Sequence, residues 1–127
     1  MDPITQLIDR YLACWNEIDP ARRRDLIKAT WNEGATYVDP QVEGRGHDGI
    51  DAMIQGVQAQ VGELRFRRVG AVDAHHDTYV RFRWELGPEG GVALAGVDFG
   101  VVRGGRLDSI TGFFDFAPPA AAEGEVA

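Results

Sequence analysis

Two aspartates and a tyrosine sit where their side chains call for a chemical explanation. Asp98 lies mid-strand in VALAGVDFGVV, at the same parity as Val92, Leu94 and Val102. An ionised carboxylate on a core-facing strand costs several kcal/mol unless it is paired, so Asp98 has to find a partner or hold its proton. The other placement is the convex, wetter face. That face would then also carry Val92, Leu94 and Val102, which favours the inward one. Asp39 closes the short stretch ATYVDP, where the chain turns at Pro40. From there a carboxylate can face a cavity between sheet and helices, or it can form an Asx-turn before the proline. Tyr11 belongs to an apolar helical stripe, where a phenol is either a core residue with a backbone acceptor or part of a site.

The elements that position these residues are readable from periodicity. Ile4, Leu7, Ile8, Tyr11, Leu12 and Trp15 recur at helical spacing and predict an amphipathic first helix over about sixteen residues. Asp19 and Pro20 read as an N-cap and first-turn proline opening a second helix through about residue 29. ATYVDP is a brief strand. Ile50, Met53, Ile54, Val57 and Val61 then mark a third helix. From residue 64 the period becomes two, with Val80, Phe82, Trp84 and Leu86 on one face and Tyr79, Arg81, Arg83 and Glu85 on the other. Three helices followed by an antiparallel meander give an α+β order with helices on one sheet face.

Length and charge limit the function classes. The 127 residues allow one domain with one core, expected over 1–116, followed by a tail at 117–127 that lacks periodicity and is expected to be poorly ordered. A net charge of −7 without a basic run disfavours nucleic acid and anionic membranes. Arg22 to Arg24 cluster, but Asp19 and Asp25 flank them, so they read as a solvated helix face. Cys14 is the only cysteine and reads as a small apolar residue. The acidic start MDPITQLIDRYL resembles neither a signal peptide nor a membrane span, so a cytoplasmic protein is expected.

Gly44, Gly46 and Gly49 match G-x-G-x-x-G, a pattern that cradles pyrophosphate when it follows a buried parallel strand within a βαβ unit. Here the polar residues Asp39 to Glu43 precede it and hairpin strands follow. A turn is the expected role, with Asp48 complementing the third helix's N-terminal dipole. His75, His76 and Asp77 read as a solvated hairpin turn and His47 as a surface histidine, so no metal is predicted.

DRYLA, ATYVDP and GVDFGVVRGGRL, in that order and around a late hairpin, together resemble the NTF2-like (SnoaL-like) superfamily over about residues 4–116. In motif the chain is most similar to the Δ5-3-ketosteroid isomerases. The resemblance implies a cone of three N-terminal helices packed on a curved, mostly antiparallel sheet, and a homodimer joined through the outer sheet face. It also implies cofactor-free proton transfer on a hydrophobic enolisable ketone. Asp39 would be the general base, with Tyr11 and a protonated Asp98 donating to the developing oxyanion. The family's further pocket tyrosines fall here on Trp31 and Ile54.

Trp15, Met53, Val80, Phe82, Ile110 and Phe114 could line the space between helices and sheet, a wall suited to a small, flat hydrophobic molecule with one polar oxygen. Two other readings remain. One is a noncatalytic ligand-binding or dimerisation module, in which Tyr79, Arg81, Arg83 and Glu85 meet a twofold mate. The other is an epoxide hydrolase of the limonene type, which needs an arginine inside the cavity, and Arg81 and Arg83 have the wrong parity for that.

Overall fold

Two aspartate–proline pairs start the first two helices. The Asp2 carboxylate accepts the Thr5 N–H at 2.9 Å and Pro3 opens α1 (Pro3–Asn16). Asp19 does the same for the Arg22 N–H, also at 2.9 Å, and Pro20 opens α2 (Pro20–Thr30). Side-chain caps of this kind satisfy helix-end donors that would otherwise be orphaned. The computed structural model describes residues 2–116, and the tail expected at 117–127 lies outside the described residues.

The remaining elements are β1 (Trp31–Val38), β2 (Glu43–Arg45), α3 (Gly46–Val61), β3 (Arg65–His75), β4 (Tyr79–Gly87), β5 (Leu94–Arg103) and β6 (Arg106–Phe116). The six strands form one sheet in the order β2, β1, β6, β5, β4, β3. Every neighbouring pair is antiparallel except β1 with β6, which is parallel. Register shifts in β1, β3, β5 and β6 mark bulges, the device by which a sheet bends over its helices. The α+β order and the one-faced sheet match the sequence reading: Val80, Phe82, Trp84 and Leu86 are buried against the helices, and Tyr79, Arg81 and Arg83 face outward.

Three local readings need correction. α3 begins at Gly46, four residues before its first apolar position, and Gly44 lies in β2 rather than in a plain turn. The reason is close approach: a Cβ on Gly44 would sit 2.9 Å from the Gly49 carbonyl oxygen, so the glycine spacing lets β2 press on the first turn of α3. β1 starts at Trp31, well before Ala35, because Trp31 is buried and already pairs with β6. Arg23 does not belong to a solvated face. It is 2% exposed, and its guanidinium donates to Asp51 at 2.6 Å, Gln58 at 3.0 Å and the Glu17 carbonyl at 3.2 Å. A buried arginine requires such a complete set of partners, and this one ties α2 to α3.

On the β3 edge of the sheet, one position is capped by a side chain. Asn16, the last residue of α1, donates to the Phe66 carbonyl and accepts the Phe66 N–H, both at 2.8 Å, so its amide takes the place of a missing strand beside β3. Asn16→Ala is expected to cost about 2 kcal/mol in urea unfolding, from two partly buried hydrogen bonds at about 1 kcal/mol each. An unchanged midpoint would show that water replaces the amide without loss.

Candidate active site

β1, β5 and β6 bring the two aspartates together. In register, Asp98 stands opposite Gly112, and β1 runs parallel to β6 with Val38 beside Thr111, which brings the following residue, Asp39, alongside Gly112. Gly112 separates the carboxyls without filling the gap. A Cβ there would lie 2.9 Å from Asp98 Oδ1, 3.2 Å from Asp39 Cβ and 3.2 Å from the Tyr37 hydroxyl. A glycine inside a strand marks such a close approach, and its parity with Ile110 and Phe114 is the signal by which it could have been found.

Asp98 is 2% exposed and each of its oxygens accepts one hydrogen bond. Tyr11 Oη donates to Oδ2 at 2.7 Å, and the Trp84 indole N–H donates to Oδ1 at 2.9 Å. Burial pushes the Asp98 carboxyl up to about 7; Tyr11 and Trp84 pull against that rise, while the charge of Asp39 adds to it. The Tyr11 phenol is raised well above its ordinary value, first by burial and then by Asp98. The expectation that Asp98 points inward therefore holds. Tyr11 and Asp98, however, meet each other directly instead of converging side by side on a third point.

Asp39 is half-buried, on the approach to the interior. Its Oδ1 accepts the N–H groups of Gln41 at 2.8 Å and Val42 at 2.9 Å, the Asx-turn considered for it, while its Oδ2 accepts the Tyr37 hydroxyl at 2.6 Å. The two alternatives for Asp39 thus coexist, one oxygen shaping the turn and the other facing the phenol. Tyr37 is the residue that sequence reasoning missed. It shares parity with Asp39 across outward-facing Val38, and that alternation was the available signal. Burial raises the Tyr37 phenol far above its ordinary range, with the nearby charge of Asp98 and the hydrogen bond to Asp39 adding to the rise. Trp84 was read as core alone, and its indole N–H gives it a second task.

The expected lining residues Trp15, Trp31, Met53, Ile54, Val80, Phe82 and Ile110 are all buried in one cluster, with Phe114 packed against it. The Tyr11 ring meets Trp31 and Phe82 edge-on at 5.6 Å between centroids and Trp15 at 6.4 Å. Phe114 lies by Trp84 at 6.0 Å, whereas Val80 and Ile110 close over Gly100 farther along the sheet. In this packing aromatic rings fill the space around Tyr11. Trp31 Nε1 is buried without a hydrogen-bond partner among the described residues, a donor available to an incoming oxygen. His47, half-buried, binds the Trp31 carbonyl through Nε2 at 2.8 Å. His75 and His76 stand exposed at the hairpin tip, and no group of three metal-ligating side chains occurs among the described residues. Cys14 is buried, its thiol pushed up to about 11 by burial, which makes it unreactive.

The family model of the SnoaL-like domain matches residues 8–110. The chain belongs to the SnoaL-like family. Among solved structures, this SnoaL-like protein is similar to a SnoaL-like family member from Agrobacterium tumefaciens C58 described as a candidate isomerase. That likeness has 37% identity and a TM-score of 0.85, and covers 91% of this chain and all of the other. A protein of ketosteroid isomerase-like fold from Catenulispora acidiphila, in complex with trimethylamine, matches at 15% identity and a TM-score of 0.72 over 93% of this chain and 92% of that one. A candidate SnoaL-like polyketide cyclase from Jannaschia sp. CCS1 matches at 17% identity and a TM-score of 0.65 over 87% and 86%. The last two show the shared fold alone. No protein with a curated description matches this SnoaL-like sequence. No helix among the described residues is long and apolar enough to cross a membrane.

Proposed function

We propose that the protein is an isomerase or cyclase that moves a proton on a hydrophobic, enolisable ketone, with Asp39 as the base and the Tyr11–Asp98 pair polarising the carbonyl. One observation carries this reading: two carboxyls flank a single glycine, one half-buried beside a phenol, the other enclosed and holding its proton toward neutral pH. Two carboxyls whose environments differ in this way divide into a base and an acid. The chemistry asked of them is proton transfer, which carboxyl and phenol groups perform themselves. Trp15, Trp31, Met53, Ile54, Val80, Phe82, Ile110 and Phe114 would supply the apolar wall once an entering ligand parts the rings packed around Tyr11, with entry past Asp39, whose side chain is the most open of the three. The test is exchange of the ketone's α-hydrogens for deuterium from solvent, followed by NMR over a panel of bicyclic ketones. Catalysed exchange on at least one is expected; exchange no faster than with buffer across the panel would sink the reading. An arginine-assisted epoxide opening finds less support, because Arg81 and Arg83 point outward and pair with Asp73 and Asp115.

A second reading concerns assembly, and the outer sheet face favours it. Phe99 and Phe113 stack edge-on at 5.7 Å while 43% and 51% exposed, with Tyr79 and Val69 also exposed on neighbouring strands. Exposed aromatic and aliphatic side chains interleaved with the Arg81–Asp73 and Arg83–Asp115 pairs make a mixed sheet face of the kind that suits an isologous twofold contact. The protein is therefore read as a homodimer through this face. Phe113→Glu is expected to give a monomer in sedimentation equilibrium where the native chain gives a dimer; a native monomer would end the proposal.

A further inference from the structure

We infer that Tyr37 is a positioning residue for Asp39: its phenol and the turn amides of Gln41 and Val42 occupy the carboxylate so that one lone pair, on Oδ2, is left to take the ligand's α-proton. The inference rests on the proposed function, in which Asp39 is the base. It adds a residue that acts through Asp39 without touching the ligand.

The lone pairs of Asp39 can be counted. A carboxylate offers about four acceptor sites, two on each oxygen. Oδ1 accepts the Gln41 N–H at 2.8 Å and the Val42 N–H at 2.9 Å, so that oxygen is full. Oδ2 accepts the Tyr37 hydroxyl at 2.6 Å, which leaves its second lone pair as the place for an incoming proton. With the turn holding one oxygen and a β1 side chain the other, the carboxylate plane is fixed. Gly112 puts no side chain against the pair: a Cβ there would lie 3.2 Å from the Tyr37 hydroxyl and 3.2 Å from Asp39 Cβ.

The fold does not call for this hydroxyl. The turn after β1 is closed without it, by the Asp39 N–H on the Val42 carbonyl at 3.0 Å and by the two amides on Oδ1. The Tyr37 ring meets Trp15 edge-on at 5.2 Å, a contact that phenylalanine would keep. What the hydroxyl adds is a charge-assisted bond to the oxygen that the turn does not use, from a side chain that is 5% exposed. Burial, and then the charge of Asp98, raise this phenol far above its ordinary range, so it remains a donor and leaves the role of base to Asp39. A base left loose loses rate, since a misplacement of about 1 Å costs on the order of a hundredfold. Losing a donor also strengthens a carboxylate as a base, which offsets part of that loss.

Deuterium exchange of the α-hydrogens of 1-tetralone, within the bicyclic panel above, reads the role. Tyr37→Phe should lower kcat by about tenfold and leave KM within about twofold, the pattern of a group that serves the transition state without binding substrate. 3-Fluorotyrosine at position 37 brings back the O–H on a ring of nearly the same size and should recover most of that loss. A raised KM at unchanged kcat would make Tyr37 a ligand contact, and unchanged kcat and KM would make its hydroxyl idle; either result overturns the inference. So does a Tyr37→Phe chain that no longer folds, or a 3-fluorotyrosine chain as slow as Tyr37→Phe, because each assigns the side chain to structure alone. A native chain that exchanges no ketone of the panel defeats the proposed function before any variant is made, and the inference falls with it.

Discussion

Asp39→Asn is expected to slow α-proton exchange on a hydrophobic ketone by about 10²- to 10⁴-fold if Asp39 is the base proposed above, the range a positioned general base contributes. An amide cannot accept the proton, yet it keeps the local structure. Its oxygen still accepts the Gln41 and Val42 N–H groups, and its nitrogen can donate to the Tyr37 hydroxyl that now donates to Oδ2. The urea midpoint is therefore expected to move little while the rate collapses. Rate and stability falling together would mean that Asp39 serves the turn alone, and an unchanged rate would reject it as the base.

Asp98→Asn acts on stability, and its sign depends on pH. The native carboxyl keeps its proton up to about 7, whereas a carboxyl exposed in the unfolded chain ionises near 3.8. Between those values the native state binds more protons than the unfolded one. The contribution of Asp98 is thus fully present below about 4, is lost as pH rises toward 7, and is flat above that. The gap corresponds to on the order of 4 kcal/mol. An amide retains both partners, accepting from Trp84 and donating to Tyr11 Oη, without an ionisation to suppress. Asp98→Asn should therefore be more stable than the native protein at about pH 8, by up to a few kcal/mol, and nearly equal to it at about pH 4. Equal destabilisation at both pH values would show that ionised Asp98 is a net stabilising partner of Tyr11 and Trp84. Retaining a group that weakens the fold at working pH is what a site that needs a proton-holding acid would do.

These two substitutions also show how far the sequence could be read. Asp98 was legible because parity placed a charge among valines, and period-two patterning settled which face was buried. Tyr11 and Asp39 emerged from their motifs and from the apolar stripe and the proline turn around them. Tyr37 and Trp84 were harder, since an aromatic at a buried parity looks the same whether its polar atom is idle or engaged. Only three-dimensional register shows that Tyr37 stands over Asp39 and that Trp84 faces Asp98. Arg23 escaped for a related reason. Its neighbours in sequence are solvated, and the partners that bury it, Asp51 and Gln58, come from a helix about thirty residues away.

The single parallel pairing, β1 against β6, has a consequence for synthesis. The two aspartates meet across Gly112, which is carried by β6, while Asp39 directly follows β1. As the chain leaves the ribosome, helices and the β3–β4–β5 hairpins can form from nearby segments, but the two carboxyls of the proposed site are not brought together until β6 has emerged and inserted between β1 and β5. On the proposed reading, partly made chains would be without activity.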